Sequence, residues 1–451
     1  MMVDDILKGK YPAKAHARHV VDYIRSKVPR ADGFFFLSGS PETFYDGTGL
    51  AIPFRQRRAF MYLTGVDTPD CHLIYEIDND RLTLFIPPVD SESILWSGMP
   101  LTTEEVLTKY DVDSVLPNTD LQTMLDSIRS RTNEFIFTIT GHVGHGITLP
   151  GGMEVDSLNL KEAIDECRVV KDEYEVALIK KANMISSAAH LAVIKSIEKC
   201  KNESEIDGVF LGDGRTAATM HYESNNQDLY LNGKAKDVVV IDAGAEWNCY
   251  GADITRTLPI SGKFTPESRA IYEIVLRMQE SCITALKEGV LWDDLHVLAH
   301  KIAIDGLLAL GILKGNKDEI LVERISTAFM PHGLGHFLGM DTHDTGGHPN
   351  EADSDPMFRY LRVRRCLPAG CVVTVEPGIH FGPHMIRPYL DDQRLSQYID
   401  EKVLDKYWDV GGVCIEDDLL ITRDGSVNLT HVPKDPDELE AIMSNASSMA
   451  T

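Results

Sequence analysis

At 451 residues the chain is longer than one hydrophobic core usually organises, so two domains are expected. Hydrophobic residues make up 43% and charged residues 25%, which excludes wholesale disorder. The 69 acidic against 44 basic residues give a formal charge of −25, which argues against nucleic acid or an anionic membrane surface as a partner.

The N-terminal stretch MMVDDILKGKYPAKAH has no apolar core behind a basic start, and no run reaches the ~18 apolar residues of a membrane span. Cysteines 71, 167, 200, 249, 282, 366, 371 and 414 follow no paired spacing, which fits free thiols and a cytoplasmic location.

In chain order, residues 13–26 read as a helix. Short β-rich runs follow at 34–37, 72–77, 82–86 and 135–139, with polar or Gly/Pro turns between them, which indicates an α/β domain. Asp172 and Glu175 then form a capping box ahead of Leu178, Ala182, Ile185, Ala189 and Ala192 at helical spacing. The domain boundary is placed before this helix, giving domains of 1–165 and 166–451. Thr265 and Pro266 start a helix whose Ile271, Val275, Met278, Cys282 and Ala285 form one apolar stripe, a core feature. Val- and Ile-rich runs at 238–241, 372–375 and 413–421 make the second domain α+β.

Three of these runs carry carboxylates: Asp242 in VVVIDAG, Glu376 in VVTVEPG and Glu416 in GGVCIEDDLLIT. An ionised acid among β-branched residues is costly unless a cation or hydrogen-bond donors compensate it. Asp253, in CYGADIT, joins them if 238–257 forms two strands with a turn near 246–249 that sets Asp242 and Asp253 on one face. The spacing alone also fits solvated hairpin acids. A divalent cation, or two sharing acids, would remove the repulsion. The stretch STAFMPHGLGHFLGMDTHD adds His332, His336 and His343 within twelve residues. Gly333 and Gly335 rule against a regular zinc-peptidase helix, and no Glu follows His332. With Gly339 they make only an imperfect nucleotide-loop pattern.

DAGAEWNCYGADITRT, FMPHGLGHFLGMDTHD, VVTVEPGIHF and GGVCIEDDLLIT resemble the prolidase and Xaa-Pro aminopeptidase family, and PFRQRRAFMYLTGVDTPDC resembles its N-terminal domain. The resemblance runs from about residue 11 to about residue 428. It implies an α+β protein with a pita-bread catalytic domain, a smaller N-terminal α/β domain, two Mn²⁺ ions per subunit and a homodimer. It further implies cleavage of a peptide with proline at its second position.

Carried over to this chain, Asp242 would bind one metal, Asp253 and Glu416 would bridge both, and His336 and Glu376 would complete the other. Glu376 would shuttle the proton, and His343 would hydrogen-bond the oxyanion or leaving nitrogen. His332, also a catalytic candidate, and His221 would line the substrate pocket. Arg362 resembles the arginine that holds a dipeptide's carboxylate, which tilts the expectation towards dipeptides.

Two features depart from the family. Cys414 stands two residues before Glu416, where the family has arginine, and the segment running from Gly208 into Gly214 is shortened. They leave open a non-catalytic pita-bread protein that binds peptides or a partner.

Overall fold

The computed structural model describes residues 3–29, 31–89, 94, 99–128, 134–213, 225–231 and 234–448. The chain divides into two units, Met1–Val169 and Val170–Thr451. No helix among the described residues is long and apolar enough to cross a membrane.

The first unit is built on a six-stranded sheet of β1 (Gly33–Ser38), β2 (His72–Glu76), β3 (Arg81–Ile86), β4 (Ser114–Pro117), β5 (Phe135–Phe137) and β6 (Glu154–Asp156), in the order β4-β3-β2-β1-β5-β6. The run GFFFLS explains why β1 is central. Five of its six residues are buried, so both faces must be covered. β1 pairs antiparallel with β2 and parallel with β5. The helix Ala13–Lys27 buries Ala13, Ala17, Val20, Val21 and Ile24 and packs on the helix Asn159–Cys167.

The second unit has short, mostly antiparallel strands under long helices. Its strands are β7 (Tyr230–Leu231), β8 (Lys234–Ala235), β9 (Val238–Asp242), β10 (Glu246–Trp247), β11 (Tyr250–Gly251), β12 (Thr255–Pro259), β13 (Val372–Val375), β14 (Gly378–His380), β15 (Gly412–Cys414), β16 (Asp417–Ile421) and β17 (Ser426–Asn428). The helix Glu173–Ser196 starts on the Asp172/Glu175 capping box, and Pro266–Ala285 starts on Thr265 with proline in its first turn. Ile271, Val275, Met278 and Cys282 are buried as the stripe requires, while Ala285 is exposed. The helix Trp292–Ala309 packs closely on Pro266–Ala285: a Cβ on Gly306 would meet Ile274 at 2.7 Å.

β9 and β12 pair antiparallel with Asp242 opposite Thr255, and the inner pair β10/β11 extends this hairpin. Asn248 and Cys249 turn it with φ of 47° and 66°, the two positive values of a type I′ turn. The helix Glu173–Ser196 holds the hairpin. His190 Nε2 donates to Ala243 O at 2.9 Å, and Ser186 Oγ accepts Ala245 N–H at 2.8 Å. At Gly244 the two arms approach so closely that a Cβ would lie 1.7 Å from Ala252 O. Gly244→Ala should therefore lower stability by roughly 1–3 kcal/mol through overpacking. Gly425→Ala, where a Cβ meets open space, should change it by less than about 0.5 kcal/mol. Urea-unfolding midpoints of the two variants check the contrast.

Candidate metal centre

The strands deliver their acids to one place. The β13/β16 register, Val375 opposite Asp417, brings Glu376 and Glu416 to adjoining strand ends. Glu416 N–H donates to Thr255 O at 3.0 Å, which ties this pair to the hairpin of Asp242 and Asp253. The histidine stretch runs beside β13: Thr374 N–H donates to His336 O at 2.9 Å and Glu376 N–H to Leu334 O at 2.8 Å. Such proximity demands glycine at position 335, since a Cβ there would lie 2.1 Å from Thr374 O.

His336 Nε2 lies 3.3 Å from Asp253 Oδ2 and 3.4 Å from Glu376 Oε1. Ligand atoms of Asp253, His336 and Glu416 all fall within 4.8 Å of one another, and all three residues are buried. His336 Nδ1 faces Phe337 O at 3.0 Å. A carbonyl oxygen only accepts, so Nδ1 carries the proton and Nε2 turns a lone pair towards the carboxylates. Thr255 Oγ1 donates to Glu416 Oε2 at 2.6 Å. Glu416 Oε1 is buried with no hydrogen-bond partner among the described residues.

A cavity of ≈ 230 Å³ opens on these groups, lined by Asp242, Asp253, His332, His336, His343, Arg362, Glu376 and Glu416. Eight of the nine residues named from sequence meet there. His221 and the stretch from Gly214 lie outside the described residues. The His343 ring stands at 90° to that of His336, with centroids 4.5 Å apart. Arg362 is exposed.

His332 is enclosed. Its Nδ1 donates to Gly333 O at 2.8 Å, and its Nε2 lies 3.1 Å from His380 Nε2, so His380 must be the donor. Burial lowers the pKa of His332, and burial followed by His332 lowers that of His380 to about 3. Sequence reasoning passed over His380, Thr342 and Tyr360. The last two line the cavity and flank residues that had been singled out.

Residues 177–423 match the family model described as metallopeptidase family M24, and residues 16–137 match that of the aminopeptidase P N-terminal domain. The chain belongs to metallopeptidase family M24. It is 54% identical over 465 residues to a probable Xaa-Pro aminopeptidase of Sordaria macrospora, covering 98% of each chain. It is 53% identical over 467 residues to one of Podospora anserina, covering 99% of this chain and 100% of that one.

Among solved structures it resembles the aminopeptidase PepP of Pseudomonas aeruginosa, with TM-score 0.77, 26% identity, and 98% and 100% of the two chains covered. It also resembles aminopeptidase P from E. coli with the inhibitor Pro-Leu, with TM-score 0.76, 26% identity, and 97% and 100% covered. The second unit thus has the pita-bread fold, and the first is the α/β N-terminal domain. The protein is a metallopeptidase, and the non-catalytic binder left open by the sequence gives way to it.

The electrostatics fit the metal that the family implies. Burial, then Asp242 and Glu376, raise the pKa of Asp253 well above its usual value. Burial, then Asp253, Glu376 and Asp242, do the same to Glu416. Burial pushes Glu376 up to about 7. The Cys414 thiol, raised by burial and these acids, contributes no positive charge. Four carboxylates, one imidazole lone pair and an unpartnered Glu416 oxygen suit a hard divalent cation.

In the metal-free protein, folded Glu376 keeps a proton between its ordinary 4.5 and about 7 that the unfolded chain has released. The folded state then binds more protons, so this group makes stability fall as pH rises through that window. A bound cation removes the penalty. The gap in thermal midpoint between protein with Mn²⁺ and protein with chelator should therefore widen from pH 5 to pH 7. A gap that stays constant over that range would contradict this account.

Proposed function

We propose that this chain is an Xaa-Pro aminopeptidase that holds two Mn²⁺ ions and cleaves the bond before a proline at a peptide's second position. The observation that carries the reading is the convergence of Asp242, Asp253, His336, Glu376 and Glu416 on one cavity. Relatives that cover almost the whole chain bear the name Xaa-Pro aminopeptidase and support the specificity. Asp242, Asp253, His336, Glu376 and Glu416 would hold the ions, Asp253 and Glu416 as the acids common to both, Asp242 for one, and His336 and Glu376 for the other. When bound, the two cations supply Lewis acidity and make a water more acidic.

Glu376 handles the proton. It would accept a proton from the attacking water and pass it to the prolyl nitrogen as the peptide bond breaks. Thr374 Oγ1, 3.3 Å from Glu376 Oε1, orients the carboxylate. His343 donates a hydrogen bond to the oxyanion. With both ring nitrogens engaged, His332 orients the substrate as a neutral wall of the pocket.

The cavity lining carries both the carboxylates and the Arg362 guanidinium. A peptide therefore enters with its ammonium end towards the acids. A second reading, Xaa-Pro dipeptidase, rests on Arg362 meeting the terminal carboxylate of a dipeptide. A homodimeric, cytoplasmic protein completes the proposal. None of the eight cysteines forms a disulfide, which supports the reducing compartment.

Gly-Pro and Gly-Pro-Ala assayed side by side, with and without Mn²⁺, separate the readings. The aminopeptidase cleaves the tripeptide faster and needs Mn²⁺, while cleavage of the dipeptide alone favours the second reading. Asp253→Asn and Glu416→Gln should each lower tripeptide turnover by more than about 100-fold at saturating Mn²⁺. Parent-like turnover in either variant contradicts the shared-ligand role.

A further inference from the structure

The loop that carries His336 and His343 rests on an ion pair that the chemistry above does not use. Lys171 Nζ meets Asp344 Oδ2 at 2.9 Å, and each side chain is only 1% exposed. Apolar side chains of similar volume often stabilise a core as well as a buried ion pair does. Stability alone is therefore a weak reason for charges at these two positions, and their location supplies a better one.

Asp344 directly follows His343. Its N–H donates to Phe337 O at 2.8 Å, which closes residues 337–344 into a compact loop. Gly339 makes room for the pair, because a Cβ there would lie 2.2 Å from Asp344 Oδ2 and 3.0 Å from Lys171 Cε. Gly339 O accepts Gly251 N–H at 2.9 Å, which joins the loop to the hairpin of Asp242 and Asp253. At its other end Lys171 N–H donates to Gly370 O at 2.9 Å, in the turn that leads into β13 and so to Glu376. Lys171 thus ties the His343 loop to the strand that carries another residue of the site.

We infer that Lys171 and Asp344 are a positioning pair that holds His343 over the His336 ring, so that they act on the reaction through His343 and not on the substrate. This rests on the role proposed for His343. Lys171 precedes the 177–423 segment that matches the family model, so the positioning apparatus starts outside that segment.

The test uses the full-length, Mn²⁺-loaded protein with Gly-Pro-Ala. Lys171→Met/Asp344→Leu replaces the pair with apolar side chains and should keep the parent thermal midpoint and Mn²⁺ content. Its KM should stay within about twofold while kcat falls about tenfold or more, the scale on which groups supporting a site act. Introduced into His343→Ala, the same double substitution should cause no further loss, because the residue through which the pair acts is gone. Parent kcat in the folded double variant, or an additional loss on top of His343→Ala, overturns the inference. Should the double variant fail to fold, Asp344→Asn keeps the volume and should lower kcat at constant KM; parent kcat there overturns it too. Parent-like activity of His343→Ala alone would instead remove the role of His343, which keeps the two failures distinguishable.

Discussion

Everything in the catalytic unit answers to one electrostatic constraint: four carboxylates and an imidazole crowd one cavity, two of the acids buried and two partly buried. Like charges at such distances cannot all remain ionised in a medium of low polarity, so each must either hold a proton or face a cation. The fold commits its strands to this arrangement. The hairpin closes at Gly244, the histidine stretch presses on β13 through Gly335, and Thr255 binds one oxygen of Glu416 while leaving the other open. These features reduce the freedom of the ligands and so lessen the ordering required when a cation enters.

The neighbouring acids Glu416 and Asp417 show how locally the charge state is set. Both are buried on adjacent positions of the chain. Burial would raise Asp417, but Arg256 and Lys434 hold it below its usual value, with Arg256 Nη2 and Lys434 Nζ each 2.7 Å from its carboxylate. Glu416 faces acids instead and is raised. Arg256 also donates through Nη1 to Glu416 O at 2.7 Å. A buried guanidinium therefore secures the backbone of this acid in a chain where Cys414 occupies the position at which the family's arginine was expected. Its charge is directed to Asp417 and does not offset the carboxylates of the cavity.

The acids of the candidate site were legible in the sequence because they interrupt β-branched runs, where a solvated carboxylate is out of place. The glycines of the histidine stretch were legible for a similar reason, since they deny it a regular helix. Arg256 gave no such signal: in DITRTLPI it reads like any strand arginine, and only the pairing of distant segments encloses it. His380 is silent in the same way, its meaning set by His332, which lies 48 positions earlier. In the first unit the longer apolar strands could be read directly. β4 and β6 could not, because SVLP and EVD are short and partly exposed, and their pairing comes from β3 and β5.

Support for the ligands also extends behind the cavity. Asp253 N–H donates to Asp418 Oδ2 at 3.1 Å, and Asn183 Nδ2 donates to the same oxygen at 2.8 Å. Thr430 Oγ1 donates to Asn183 Oδ1 at 3.1 Å while accepting Asp418 N–H at 3.0 Å, so its hydroxyl closes the network in both directions. Asp253 is thereby held through its backbone N–H, while its carboxylate faces that of Asp242. A ligand oriented by a side-chain donor would have a lone pair occupied before any cation arrived. Holding Asp253 through the main chain spends no lone pair of its carboxylate, which suits the shared-ligand role proposed for it.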